Sequence, residues 1–260
     1  MISKNTIKQI RSLEQRKFRK LLGEFIAEGN KLVEDNLASM KCHRLIATAE
    51  WVQSHGHLCG LAEECIEVTR DEMEKVSLMQ TPQDVLATFY IPKNCSNSDC
   101  TDANELSKLQ DELVIALYSV QDPGKLGTII RLCDWFGIRD IFCSTTTADC
   151  YSPKVVQATM GAIARVRVHY LDLPSFLQNI SSQNIPIYGT FLEGENIYKT
   201  ELSKNGVIVM GNEGNGISSD VEALVTKKIN IPSYPADSAT SESLNVGIAT
   251  AITVAEFRRR

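Results

Sequence analysis

Apolar positions along this chain switch repeatedly between short unbroken runs and the i, i+3, i+4 spacing of an amphipathic helix. The runs read as strands and the spaced positions as helices. In the N-terminal part, Lys4–Leu22 reads as a basic helix, Phe25–Ala27 as a strand turned by Gly29, and Asn30–Leu37 as a helix. Arg44–Thr48 follows as a strand, Asp71–Val76 as a helix start, and Asp84–Ile91 as a strand. This alternation predicts a small α/β sandwich. Residues 93–111, KNCSNSDCTDANELSKLQD, are nearly devoid of large apolar side chains and read as a linker. The expected division is a domain over 1–95, a linker over 96–111 and a second domain over 112–260.

The second region alternates more cleanly. Strand signals fall at Leu113–Val120, Ile138–Cys143, Val166–Tyr170, Ile185–Phe191, Val207–Met210 and Lys228–Ile231. Helix signals fall at Leu126–Phe136, Pro153–Met160, Leu173–Ile180, Ser218–Val225 and Ser243–Arg259. Apolar strands between amphipathic helices imply a mostly parallel sheet covered on both faces. Such sheets bind ligands beyond the carboxyl ends of their strands, so the strand-end loops are where chemistry is expected.

Three of these loops stand out. Residues 121–131, QDPGKLGTIIR, combine a tight turn at Asp122-Pro123-Gly124 with Arg131 four residues after Gly127, on the same helix face. An exposed backbone beside an arginine suits an anion; a turn, a cap and a solvent-facing arginine is the plainer reading. Residues 211–218, GNEGNGIS, hold three glycines around Glu213. Glycines let backbone amides approach a ligand closely, and an acid among them favours a cationic or ribose-bearing ligand over bare phosphate. The spacing matches neither GxGxxG nor a Walker loop. The third loop, PSYPADSATS, leads into SLNVGIATAITVAEF, an apolar helix that Ser241 or Ser243 could cap. Asn245, polar in its first turn, either satisfies backbone or faces the cleft.

Composition changes the picture little. The 260 residues are 43% hydrophobic and 23% charged, as in ordinary globular chains. No apolar run approaches the roughly 20 residues of a membrane span, and the charged N-terminus carries no secretory signal, which makes a cytoplasmic protein the default. Of the eight cysteines, no pair has CxxC spacing, so they read as reduced core residues. His55, His57 and Cys59 read as a polar loop with a half-buried thiol, and no metal is expected. Net charge is −5, yet Lys4, Lys8, Arg11, Arg16, Lys17, Arg19 and Lys20 crowd the first twenty residues. They read as either a solvated helix face or a phosphate-facing strip, with Lys8, Arg11, Arg16, Lys17, Arg19 and Lys20 the candidates for phosphate contact.

DPGKLGTIIR, IVMGNEGNGIS and IP…SESLNVGIATAI, in this order and spacing, resemble motifs one, two and three of the SpoU (TrmH) branch of the SPOUT methyltransferases. The resemblance covers 112–260 and includes YSPKVVQATMGAIARV between motifs one and two. KQIRSLEQRKFRKLLGEFIAEGNKLVEDNL resembles the substrate-binding domain often fused to that branch, a ribosomal-protein-like RNA-binding fold.

The resemblance implies a SPOUT α/β domain with a deep trefoil knot, an exception to the rule against knots. It also implies homodimers with active sites at the interface, and transfer of a methyl group from S-adenosylmethionine to a ribose 2′-hydroxyl of ribosomal or transfer RNA. By analogy Thr190, Gly211, Ile231 and Leu244 line the cofactor pocket, with Met210 and Asn212 beside it. Arg131 matches the catalytic arginine; Glu213 and Asn245 match the motif-two acid and motif-three asparagine. Guanidinium stays protonated, so Arg131 is expected to grip a phosphate and stabilise developing alkoxide charge. Lys125 stands where the branch usually has a substrate-site asparagine, and Tyr234–Asp237 where a glycine is common. The competing reading is a knotted RNA-binding protein that has lost catalysis through Lys125.

Overall fold

The computed structural model describes residues 1–92, 109–212, 214–235 and 243–259. The expected linker lies almost wholly outside these. Packing divides the chain into two compact units, Met1–Lys93 with Asp149–Arg165, and Asn94–Ala148 with Val166–Arg260.

The first unit holds a four-stranded sheet in the order β1-β4-β2-β3, built from β1 (Glu24–Glu28), β2 (Cys42–Thr48), β3 (Ala62–Val68) and β4 (Val85–Tyr90). Strand β4 runs antiparallel to β1 and β2, and β3 pairs parallel to β2. Ile26, Ile46 and Leu86 pack with Ile10, Leu13, Met73 and Val76 in one core. Phe25 stacks on Phe89 at 5.7 Å and meets Tyr151 at 4.9 Å, which seats the 149–165 segment in this unit. Helices α3 (Asn30–Leu37) and α5 (Arg70–Val76) form where their periodicity predicts, the latter closed by a Thr69–Glu72 capping box.

The sequence reading differs from the structure here in two ways. The basic run is two helices, α1 (Lys4–Ser12) and α2 (Arg16–Leu22), rather than one. The Arg19 guanidinium donates to the Leu13 and Glu14 carbonyls at 2.7 and 2.8 Å, which supports the break between them. Helix α4 (Ala49–His55), the 3-10 turn Gly56–Leu61 and β3 had no counterpart in the sequence reading. The HxHxC string sits at the end of α4 and in that turn, not in an irregular loop.

The second unit is an all-parallel six-stranded sheet in the order β10-β8-β9-β5-β6-β7. Its strands are β5 (Leu113–Leu117), β6 (Asp140–Ser144), β7 (Arg167–Leu171), β8 (Ile187–Asn196), β9 (Gly206–Met210) and β10 (Lys227–Asn230). Every strand signal in this region is realised. So is every helix signal: α6 (Pro123–Trp135), α7 (Pro153–Thr159, in the first unit), α8 (Leu173–Ser182), α9 (Ser219–Glu222) and α10 (Val246–Arg259). Val114, Ala116, Val207 and Val209 pack with Phe176, Leu177, Ile180 and Val221 of α8 and α9. The alternate residues of these strands face the other side of the sheet, where Tyr188 meets Phe257 of α10 edge-on at 4.8 Å.

Candidate functional site

The strand order creates a crevice. From β5 the chain moves outward through α6 to β6, whereas from β9 it moves the opposite way, through α9 to β10. Connections that diverge from two adjacent parallel strands leave a gap between their loops, which is where open α/β sheets bind ligands. Leu117 pairs with Met210 at the carboxyl ends of β5 and β9, and Tyr118 N–H donates to the Met210 carbonyl at 2.9 Å. The loops over 119–122 and 211–217 therefore leave the sheet side by side.

On the β5 side, Asp122 caps α6, its Oδ1 accepting from Lys125 N–H at 2.8 Å. Gly124, Thr128, Arg131 and Trp135 form an exposed stripe along this helix. Arg131 makes no hydrogen bond or ion pair with any described residue, which leaves its guanidinium available to an anion.

On the β9 side, Met210 is buried, and Thr190 of β8 donates its hydroxyl to the Val209 carbonyl at 3.3 Å. A Cβ on Gly211 would lie 2.6 Å from the Gly216 carbonyl carbon, so only glycine allows this close approach. Asn212 and Gly216 close the loop as a β-bridge, and Gly216 has φ +64°. Asn212 Oδ1 accepts from the Gly214 and Asn215 amides at 2.8 and 3.1 Å. Glu213 lies outside the described residues.

Ile231 follows β10 directly, half-buried, and Leu244 is exposed just ahead of α10. Asn245 caps that helix: its Oδ1 accepts from Gly247 N–H at 2.9 Å and Ile248 N–H at 3.3 Å. The cap is thus Asn245 rather than Ser243, and Ser241 lies outside the described residues. Capping uses the oxygen, so Nδ2 of this exposed side chain is left to donate. A Cβ on Gly247 would come within 3.6 Å of Thr128 Cγ2, which places the start of α10 beside the Arg131 stripe.

The structure therefore gathers the 121–131, 211–217 and 243–248 segments at the carboxyl edge of one sheet. It does not present the basic candidates of the first unit equally. Lys8, Arg16, Lys17 and Lys20 are exposed. Arg11 is spent on the Lys75 and Ser77 carbonyls at 3.1 and 2.7 Å. Arg19 is 3% exposed and bound to Asp149 at 2.7 Å, so burial takes it away from solvent and from any RNA phosphate.

Sequence reasoning missed one cluster. Ser119, Ser144, Thr146 and Thr147 join hydroxyls where β5 and β6 end, with Ser119 at φ 54°. Its only sequence signal is that apolar strands stop on serine.

Comparison with known proteins bears on what such a crevice does. A model of the SpoU rRNA methylase family matches residues 112–255, and a model of an MRM3-like substrate binding domain matches residues 4–87. The 23S rRNA (guanosine(2553)-2′-O)-methyltransferase RlmP of Bacillus subtilis is 28% identical over 254 residues, 97% of this chain and 95% of that protein. Among solved structures, a putative RNA methyltransferase of the TrmH family from Porphyromonas gingivalis superposes with TM-score 0.86 at 38% identity, over 100% of this chain and 99% of that one. An AdoMet-bound rRNA methyltransferase from Sinorhizobium meliloti superposes with TM-score 0.82 at 28% identity, over 100% of this chain and 97% of that one.

Proposed function

The chain belongs to the SpoU rRNA methylase family, and on that footing we propose that it transfers a methyl group from S-adenosylmethionine to a ribose 2′-hydroxyl of ribosomal or transfer RNA. The observation that carries this reading is the crevice between β5 and β9. It sets a glycine loop for a backbone-held cofactor beside a helix that offers an unpaired arginine.

The cofactor supplies an electrophilic methyl on a positively charged sulfur. Held by the pocket residues, it would give the ribose oxygen this methyl in place of the hydroxyl proton, which would pass to solvent. Little covalent work falls to the protein, so positioning and charge stabilisation provide the rate. We assign Thr190, Met210, Gly211, Asn212, Ile231 and Leu244 to the cofactor pocket. Arg131 holds the phosphate next to the reacting ribose and stabilises the alkoxide charge, Asn245 Nδ2 donates to the same region, and Glu213 completes motif two. Lys125 sits in the first turn of α6, facing substrate. Its backbone N–H makes the Asp122 cap whatever the side chain, so the departure from asparagine leaves the turn intact.

RNA affinity rests on Lys8, Arg16, Lys17 and Lys20, which can neutralise phosphates. We expect the family's trefoil knot near the C-terminus. A homodimer is supported by apolar exposure on two neighbouring helices, with Trp135 85% and Ile248 53% exposed. We take the cytoplasm as the place where it meets this RNA.

Methyl transfer from labelled S-adenosylmethionine to RNA from a host lacking this gene tests the proposal, with Arg131→Ala as control. Label in a 2′-O-methylated nucleoside, lost in the variant, is expected. Absence of label with folded protein would overturn it.

A further inference from the structure

Ser119 is held in a conformation that serine rarely adopts. Its φ of 54° lies in the left-handed region, which is unfavourable for a residue with a Cβ. Such strain persists where the surroundings over-determine it, and it clusters at functional sites. Here every polar group of the residue is fixed. Its N–H donates to Ser144 Oγ at 2.9 Å, its hydroxyl is hydrogen-bonded to Thr146 Oγ1 at 2.5 Å, and its carbonyl accepts from Asn212 Nδ2 at 2.7 Å.

The last of these bonds crosses the crevice. Asn212 shapes the glycine loop through its Oδ1, which holds the Gly214 and Asn215 amides, and ties that loop to the β5 side through its Nδ2. Three residues after Ser119, Asp122 opens the helix that carries Arg131. One amide side chain thus sets the spacing between the loop after β9 and the turn into α6.

We infer that the Asn212–Ser119 bond is a clamp that positions the two halves of the methyl-transfer site, with Ser144 and Thr146 holding Ser119 in place for it. This rests on the proposed activity. Ser119, Ser144 and Thr146 are positioning residues, acting through Asn212 and the turn into α6. The inference matters because an in-line transfer needs its partners about 3–3.5 Å apart, and a misplacement of about 1 Å can cost about a hundredfold in rate.

Asn212→Asp tests the clamp, with rates read at saturating S-adenosylmethionine because Asn212 also belongs to the proposed cofactor pocket. It keeps the oxygen that the Gly214 and Asn215 amides need and removes the donor to the Ser119 carbonyl. The expected result is a single-turnover rate lowered about tenfold or more, with KM for RNA within about twofold and the thermal midpoint little changed. Amide exchange over residues 119–122 should accelerate by a similar factor. Ser119→Asn, whose side chain suits the left-handed region, should stay within about threefold of wild type and retain slow exchange. If Asn212→Asp does not fold, Thr146→Ala carries the test from an exposed position, with about a threefold loss of rate expected. A rate within about twofold of wild type, or unchanged exchange at 119–122, would overturn the clamp. A wild-type protein that binds S-adenosylmethionine but methylates no RNA would overturn the activity instead, and the exchange measurement alone would then decide the clamp.

Discussion

Arg19 was one of six basic residues that the sequence offered to RNA, and its placement makes a different outcome measurable. Its Nη1 donates to the Leu13 and Glu14 carbonyls at 2.7 and 2.8 Å, while Nη2 and Nε reach Asp149 Oδ2 at 2.7 and 3.2 Å. Hydrogen bonds to a charged group contribute about 1.5–3 kcal/mol each, and truncating one member of a buried pair costs about 3–5 kcal/mol. The Asp149 side chain is 18% exposed and regains some water when abandoned. We therefore expect Arg19→Ala to destabilise the first unit by about 3–4 kcal/mol. Arg19→Lys should recover less than half of that, because an ammonium cannot reproduce the fork. Lys20→Ala, exposed on the same helix, should stay within about 0.5 kcal/mol. Urea unfolding followed by Trp51 fluorescence measures this, since Trp51 is buried in the first unit and Trp135→Phe removes the exposed tryptophan of the second. A loss under about 1 kcal/mol for Arg19→Ala, with weakened RNA binding by the folded variant, would refute the reasoning and return Arg19 to the RNA surface.

Four further outcomes are expected. Burial alone would raise the Asp140 carboxyl, but hydrogen bonds from His169 and Arg167 outweigh it and hold it at about 2 against its ordinary 3.8. A depressed carboxylate stabilises the fold above its unfolded pKa and loses that contribution as pH falls through the folded one. Asp140→Asn should therefore cost on the order of 2 kcal/mol near neutrality and flatten the stability profile between about pH 4 and about pH 2 in acid titrations. Lys17→Ala with Lys20→Ala should weaken RNA binding evenly across sequences and reduce the salt slope by about 2 in filter binding. Trp135→Glu should shift sedimentation toward a monomer; an unchanged monomeric profile in wild type and variant would exclude this face as a dimer contact. Lys125→Asn should leave the thermal midpoint and cofactor affinity within error while changing kcat/KM for RNA, and equal kinetics would remove Lys125 from the substrate site.

The fold was most legible where burial is two-sided. The inner strands β5, β6 and β9 are buried along their whole length and carry apolar runs, and all six strands of the parallel sheet appear at their expected places. Strand β3 is the counterexample. AEECIEV is mostly exposed and carries no alternation, because it sits at a sheet edge and is held by backbone pairing to β2 rather than by burial. The break between α1 and α2 was equally hidden. Basic residues flank it on both sides, and what supports it is a guanidinium folding back from Arg19, a side-chain choice that composition does not record.

The site shows the same boundary between pattern and placement. Its loops could be found because glycines, a proline turn and an arginine mark them, and the rule of carboxyl-edge binding needs only that the strands be parallel. The strand order was not available from periodicity, and it decides which loops meet. Only because β5 lies between β9 and β6 do the 119–122 and 211–217 segments become neighbours across a crevice. Asn212 then acquires a second task that no spacing argument could assign: its oxygen serves its own loop while its nitrogen reaches a carbonyl 93 residues away in sequence. The loops with the strongest sequence signal meet at the crevice, whereas Ser119, Ser144 and Thr146, which tie one of them in place, carry almost none. The functional burden of Ser119 follows from that division, since a hydroxyl at a strand end gains meaning only from the partner the topology brings to it.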